Sequence, residues 1–216
     1  LHLSIRRQRQ MCIRDRINLE YCSGEKQKYL SPIVYFFGVT TVETFIAARI
    51  GFFDFMLETN KESLQKSLSD PNFLNAGFDP TYIIDKVNTN FSFLFSEVGQ
   101  KIFLVPLLLL LTWLFYRKLN RSFKENSWFA LYTLGHVTLL SLPFMLGWYL
   151  TKDLVLYSVL SFLMAFVYWV WASKQFYNLK LGKALLLRFL MMVTAQLVMG
   201  AGFIIMILVV LLYSKK

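Results

Sequence analysis

Three polar side chains lie inside long apolar stretches of this sequence, where an ionisable or hydrogen-bonding group is unusual. They are Glu43, His136 and Gln196. A charge at the centre of a bilayer costs at least about 2.5 to 3.5 kcal/mol, so a carboxylate there must face water, contact other helices or be protonated. An imidazole can relay protons or bind a metal. These residues form the candidate intramembrane polar site.

Each of the three also has a structural interpretation. Glu43 is simply solvated if its segment is tilted or lies partly in the membrane interface. His136 has no second histidine within a predicted span to share a metal ion, which favours a histidine hydrogen-bonded between helices. Gln196 precedes Gly200 by about one turn, a spacing that fits a close helix contact with an amide hydrogen bond. Arg188 is expected to extend to the membrane interface.

Motifs that would indicate an enzyme are missing from the sequence. It has no phosphate-binding glycine loop, no HExxH and no GxSxG. Its two cysteines, Cys12 and Cys22, form no CxxC pair and define neither a redox motif nor a metal site. We therefore predict no catalytic, cofactor-binding or metal-binding residues, and an enzyme is the least favoured class.

The elements that must position the polar residues are apolar helices. Hydrophobic residues make up 56% of the chain, whereas soluble domains contain roughly 45 to 50%. The excess must face lipid, so the predicted class is an all-α polytopic membrane protein and its first partner is the bilayer. Most basic residues beyond the N-terminus flank apolar runs, where they would orient helices rather than bind nucleic acid.

The N-terminal residues 1–16 are predicted to be an artefact. Residues 6–16 have the sequence RRQRQMCIRDR, which resembles the in-frame translation of a transposon adaptor used to prepare DNA for sequencing. The alternatives are a solvated tail, a polybasic lipid-binding arm or the basic start of a signal peptide. Without the five arginines and one aspartate of this stretch, the formal charge falls from +10 to +6. We exclude the stretch from the fold prediction.

About five segments are long and apolar enough to cross a bilayer, which takes about 20 helical residues. They cover residues 31–56, 102–116, 128–150, 154–172 and 184–213, so that residues 98–216 hold four of the five. Residues 17–30 are predicted to be a cytoplasmic N-terminal remnant. Residues 57–97 are polar and rich in turn signals, and we expect them to form an extracytoplasmic loop region.

The charges of the short connectors predict the orientation of the helices. The connectors after the second and fourth spans contain seven lysines and arginines, whereas the connector after the third span contains only Lys152. Basic connectors stay in the cytoplasm. The N-terminus is therefore predicted to be cytoplasmic, in a multi-pass protein of the bacterial cytoplasmic membrane.

Several short motifs follow one another in an order found in a known family. They are Lys-x-Lys-Tyr-x-x-Pro at 26–32, a proline-containing apolar helix with a basic connector at 101–121, Glu-Asn at 125–126 before Phe-Ala-Leu-Tyr and Gly-His at 129–136, and Phe-Tyr-Asn at 176–178. The chain resembles the uncharacterised bacterial membrane family catalogued as domain of unknown function 3667 over most of residues 26–190. Members resemble a zinc ribbon joined to several helices. Because the ribbon's cysteine pairs are missing here, the resemblance implies an N-terminally truncated fragment.

Two functions are compatible with these features. The first is a non-enzymatic membrane scaffold or adaptor whose missing N-terminal region would contact a protein partner. The alternative is a small transporter or channel component in which Glu43 and His136 line one polar path between helices. The alternative predicts that both side chains point into one shared cavity.

Overall fold

The computed structural model describes residues 21–22, 29–68, 97–119 and 121–214, and these residues form helices and short connectors without any strand. The helices are α1 Pro32–Arg49, α2 Phe52–Leu68, α3 Glu97–Tyr116, α4 Phe123–Thr151, α5 Leu154–Phe176 and α6 Leu181–Ser214. The predicted all-α class is therefore confirmed for the described part of the chain.

Three of these helices are long and apolar enough to cross a membrane. The qualifying segments are Phe123–Thr151, Leu154–Phe176 and Leu181–Gly202. They coincide with the third, fourth and fifth spans predicted from the sequence, and they are compatible with a membrane protein. The first and second predicted spans, and with them the total of five, remain predictions.

The segment predicted as one span over residues 31–56 is divided into two helices. Helix α1 ends at Arg49, and Gly51 has a positive φ of 70°, which glycine adopts at little cost. Helix α2 then begins at Phe52 and continues to Leu68. Residues 57–68 are thus helical where the sequence predicted a loop region, while residues 69–96 lie outside the described residues.

The start of α4 is fixed by a capping box. The backbone N–H of Glu125 donates to the hydroxyl of Ser122 at 3.2 Å, and the Glu125 carboxylate accepts from the Ser122 backbone N–H at 2.8 Å. Arg121 forms an ion pair with the same carboxylate at 3.0 Å. These bonds satisfy backbone donors that the first turn of a helix leaves free, so the helix begins at a defined residue.

A tight turn joins α4 to α5, and the two helices pack on each other. Lys152 closes α4 in the left-handed conformation with a φ of 56°, and Asp153 caps α5 by accepting from the backbone N–H of Leu156 at 2.9 Å. At the other end of α5, Asn178 is left-handed as well, with a φ of 51°. This second turn leads into α6 at Leu181.

The chain divides into two compact units. The first combines residues 1–45 with 108–192, and the second combines 46–107 with 193–216. Most of the large buried side chains described belong to the first unit, among them Tyr116, Phe129, Met145, Trp148, Trp169 and Met191. In the second unit Ala47 and Phe52 are buried.

Candidate functional site

A group of aromatic side chains joins three helices of the first unit where their connectors meet. Tyr116 is the last residue of α3, Phe129 lies in the second turn of α4, and Phe176 ends α5 directly before Tyr177. The rings of Tyr116 and Tyr177 stack at 4.4 Å, and those of Phe129 and Phe176 stack at 4.9 Å. Tyr177 also meets the edge of Phe129 at 5.1 Å. We call these four residues, together with Asn126, the loop-end cluster.

Asn126 is the fully buried polar centre of the loop-end cluster. Its Nδ2 donates to the backbone carbonyls of Ser122 at 2.8 Å and Arg121 at 3.2 Å. Its Oδ1 accepts from the hydroxyl of Tyr177 at 2.5 Å. Both ends of the amide are satisfied, as a buried amide requires. The same burial raises the pKa of the Tyr177 phenol, and the neighbouring Tyr116 raises it to a smaller extent. The phenol therefore keeps its proton and remains a hydrogen-bond donor.

A second polar group lies beside the loop-end cluster and is built differently. Arg188 of α6 places its guanidinium carbon 4.4 Å from the ring centre of Trp169 on α5. The Nε atom of Arg188, the Nε1 atom of Trp169 and the hydroxyl of Tyr116 are all enclosed, and none has a hydrogen-bond partner among the described residues. Ser173 and Trp169 neighbour that hydroxyl without meeting hydrogen-bond geometry.

The position of Arg188 differs from the sequence-based expectation. An arginine near a helix end was expected to extend to the interface, yet this side chain is half-buried over an indole ring. Such a contact attracts a cation to the negative face of the ring. We call Arg188, Trp169 and Tyr116 the donor site.

His136 lies between three helices of the first unit. Its Nδ1 is 2.8 Å from the backbone carbonyl oxygen of Tyr132, and a carbonyl can only accept, so this nitrogen carries the proton. The imidazole packs against the ring of Tyr35 on α1 at 5.0 Å and stacks on Tyr168 of α5 at 5.8 Å. The imidazole therefore packs against α1 and α5, and its hydrogen bond to Tyr132 lies within α4.

Glu43 and Gln196 occupy different units. Glu43 is half-buried on α1, eight residues beyond Tyr35 and so about 12 Å further along the axis. Gln196 is exposed on α6 in the second unit, and a Cβ added at Gly200 would meet nothing within 4 Å. The close helix contact expected around Gln196 is therefore not formed within the described residues. The three predicted polar residues do not form one site within a single unit.

The close helix contact occurs instead between α1 and α4. A Cβ added at Gly135 would lie 2.7 Å from Cε1 of Tyr35 and 3.5 Å from Cα of Phe36. The hydroxyl of Tyr132 donates to the backbone carbonyl of Leu30, just before α1. The contacts thus advance in the same direction along both helices.

The segment before α1 also contacts the start of α4. The ring of Tyr21 meets Trp128 edge-on at 4.9 Å and Tyr132 at 5.9 Å. Burial, and to a smaller extent the charge of Glu125, raises the pKa of the neighbouring Cys22 to about 11. A thiol with this pKa is protonated at neutral pH and is a poor nucleophile.

The sequence did not reveal the partners of the loop-end residues. Tyr116 and Trp169 lie near the ends of apolar runs, where aromatic residues of membrane proteins commonly occupy the interface, yet both are buried, at 0% and 1% exposure. The sequence signal that could have indicated this packing is the high density of aromatic residues next to the basic connectors. Among the described residues, no group of three or more His, Cys, Asp or Glu side chains could hold a metal ion.

Searches of the chain against protein families, curated proteins and solved structures find no match. The resemblance to domain of unknown function 3667 therefore remains a prediction based on the sequence motifs.

Proposed function

We propose that this protein crosses the bacterial cytoplasmic membrane five times and acts as a non-enzymatic scaffold or adaptor. The membrane assignment is supported by the apolar side chains that point away from the protein. Leu150 is 82% exposed, Val155 73% and Leu197 69%. A soluble protein would not leave so many large apolar side chains in water, whereas lipid covers them without cost.

The contacts of α1 with α4 are compatible with the proposed order of spans. With five spans and a cytoplasmic N-terminus, the first and third spans both leave the cytoplasm and run in the same direction. Single cysteines in place of Lys118 and Lys152 test this orientation in intact cells of a Cys12→Ser, Cys22→Ser background. An impermeant maleimide should label position 152 only. Labelling of position 118 would indicate the orientation opposite to the proposed one.

One observation carries the scaffold proposal, namely that the hydrogen bonds of the loop-end cluster are complete. The hydroxyl of Tyr177 donates a hydrogen bond to the Asn126 amide, and the stacked rings hold the end of α3, the start of α4 and the end of α5 together. Exposed basic residues surround this rigid end, among them Lys118 and Lys124. A fixed surface of one charge sign is suited to a protein partner with an acidic face.

Site-specific photocrosslinking tests the scaffold proposal. A photoreactive amino acid at position 118 or 124 should give the same protein adduct in living cells. The matched control is position 152, a lysine in the connector predicted to lie on the other side of the membrane. An Arg117→Glu variant should reduce the adduct at position 118. Equal adducts at all three positions, or no adduct at 118 and 124, would contradict a cytoplasmic docking face.

A small transporter or channel component is the second candidate. It is favoured by the half-buried positions of Glu43 and His136 within the first unit. Reconstitution into vesicles loaded with a pH-sensitive dye should then show proton or ion flux that Glu43→Gln abolishes. The Gln196→Ala variant is the matched control, since this exposed residue belongs to the second unit. Flux that survives Glu43→Gln would eliminate the proposed path.

A further inference from the structure

We propose that the donor site, formed by Arg188, Trp169 and Tyr116, binds the phosphate group of an anionic phospholipid. Binding of a lipid at this position is independent of the scaffold role. The inference rests on enclosed donors without acceptors, on the surface around Arg188 and on the charges of the nearby connectors.

The chemistry of the donor site selects an anion. Guanidinium and indole N–H groups can only donate hydrogen bonds, and a phenol donates as well as accepts. One donor atom of each side chain is enclosed and makes no hydrogen bond to the described residues, namely Nε of Arg188, Nε1 of Trp169 and the hydroxyl of Tyr116. Tyr116 and Trp169 are almost completely buried, at 0% and 1% exposure. A bound oxyanion would supply the missing acceptors, whereas a cation would be repelled by the positive charge of Arg188.

The guanidinium of Arg188 favours a phosphate group over other anions. Arginine binds phosphate through two parallel N–H···O bonds, and its planar fork makes this geometry specific. The indole of Trp169 holds the guanidinium at 4.4 Å and so limits its orientation. The half-buried state of Arg188 leaves a route by which a ligand can reach it.

The surface next to Arg188 indicates a lipid. Leu185 precedes Arg188 by three residues and lies on the same side of α6, and Phe189 follows Leu185 by four residues and lies next to it on the helix surface. They are 40% and 52% exposed. An acyl chain could lie along these side chains while the headgroup occupies the donor site. A free anion would gain nothing from such an apolar surface.

The depth of the site agrees with a headgroup. Arg188 lies seven residues into α6, about 10 Å from Leu181 along the axis. Exposed lysines lie at position 174 near the end of α5 and at position 180 in the connector before α6. Basic sites between helices on the cytoplasmic side attract anionic headgroups, because that leaflet carries the negative surface potential. The proposed orientation puts the donor site on that side.

Lipid binding to the purified full chain in neutral detergent tests the inference. Phosphatidylglycerol, phosphatidylcholine and inorganic phosphate are the probes, and native mass spectrometry measures each bound fraction. Phosphatidylglycerol should bind at least about tenfold more tightly than phosphatidylcholine, and inorganic phosphate should compete weakly. The Arg188→Gln variant should lose about tenfold in affinity for phosphatidylglycerol, and Tyr116→Phe about threefold.

The matched control is Lys183→Gln, which removes an equal charge from an exposed position near the start of the same helix. It should change the affinity less than about twofold. If Arg188→Gln fails to fold, Arg188→Lys keeps the charge but loses the fork and should still weaken binding.

Three results would overturn the inference. The first is an equal loss of affinity in Arg188→Gln and Lys183→Gln, which would indicate a diffuse basic surface. The second is tighter binding of inorganic phosphate than of phosphatidylglycerol, which would assign the site to a soluble anion. The third is unchanged lipid binding in both Arg188→Gln and Tyr116→Phe. Because binding is measured on the isolated protein, none of these results depends on the existence of a protein partner.

Discussion

The two ends of the α4–α5 hairpin differ in what they bury. At the connector end, Phe129, Trp169 and Phe176 are buried, and Asn126 is hydrogen-bonded among them. At the turn end, Leu150 and Val155 are among the most exposed side chains of the chain. In α5 every buried residue belongs to the last eight positions. In α5 the connector end is therefore held by tertiary contacts, while the turn end exposes apolar side chains.

This difference is a consequence of amino-acid type. Aromatic rings and polar groups gain specific partners from packing, since stacking and hydrogen bonds depend on orientation. Leucine and valine side chains gain little by leaving lipid for protein, because both surroundings are apolar. The helices therefore converge where the sequence places aromatic residues beside an amide. Variants at the two ends should accordingly differ in their effects.

The largest loss is expected for Asn126→Leu. It removes the acceptor of the Tyr177 hydroxyl and the donor to two backbone carbonyls, and it leaves buried groups unsatisfied. We expect a loss of about 3 kcal/mol in the free energy of unfolding, measured by chemical unfolding in detergent micelles. Val155→Ala at the turn end should cost less than about 0.5 kcal/mol. Similar losses at both ends would remove the distinction between them.

The contact of α1 with α4 should be nearly as sensitive. In Gly135→Ala the new methyl group would lie 2.7 Å from the Tyr35 ring, so the ring or the helix must move. Overpacking of this kind costs about 1 to 3 kcal/mol. Gly147→Ala is the matched control in the same helix, because its methyl group would meet nothing within 4 Å. Its stability should be unchanged or slightly higher, and a Gly135→Ala variant of equal stability would disprove the close approach.

A smaller effect is expected for Tyr177→Phe. The ring and its stacking on Tyr116 are kept, and only the hydrogen bond to the Asn126 amide is lost. The free energy of unfolding should fall by about 1 kcal/mol. In the double variant Asn126→Leu, Tyr177→Phe, the cost of the second change should nearly vanish. Additive losses would show that the two side chains act independently.

The pH dependence at Cys22 should be the smallest effect. Its pKa is raised from the ordinary value of 9.0 to about 11 by burial in the folded chain. The unfolded chain therefore releases the proton first, and stability falls as pH rises from 9 towards 11. In a Cys12→Ser background, alkylation of Cys22 should be slow at pH 8 and accelerate near pH 11. Rapid alkylation at pH 8 would place this thiol outside a buried environment.

Much of the local structure could be predicted from the sequence. The apolar runs located α4, α5 and α6, and the Ser122-x-x-Glu125 pattern coincides with the capping box that starts α4. The structural interpretation of His136 agrees with its packed position. Residues 57–68, which were predicted as part of an extracytoplasmic loop region, are helical in α2. Helix α2 shows that polar residues such as Glu, Lys, Gln and Ser also propagate a helix.

The interpretation of single polar residues was less successful. Arg188 was assigned to the membrane interface because it lies near a helix end. The sequence pattern of one helix cannot show that the indole of Trp169 on another helix lies against it. Gln196 and Gly200 were assigned to a close helix contact because their spacing allows one. The close contact in the described residues is instead formed by Gly135. Spacing along one helix fixes which residues share a face, but it does not fix which helix lies against that face.

The sequence by itself determined where these helices lie and which surfaces are apolar, because backbone hydrogen bonds and transfer into lipid are local properties. Only the tertiary structure decided which residues meet. Tyr177 reaches Asn126 across 51 positions, and Tyr132 reaches the carbonyl of Leu30 across 102. Such contacts depend on how the helices pack side by side. The enclosed donors around Arg188 belong to this second kind, since they come from three different helices.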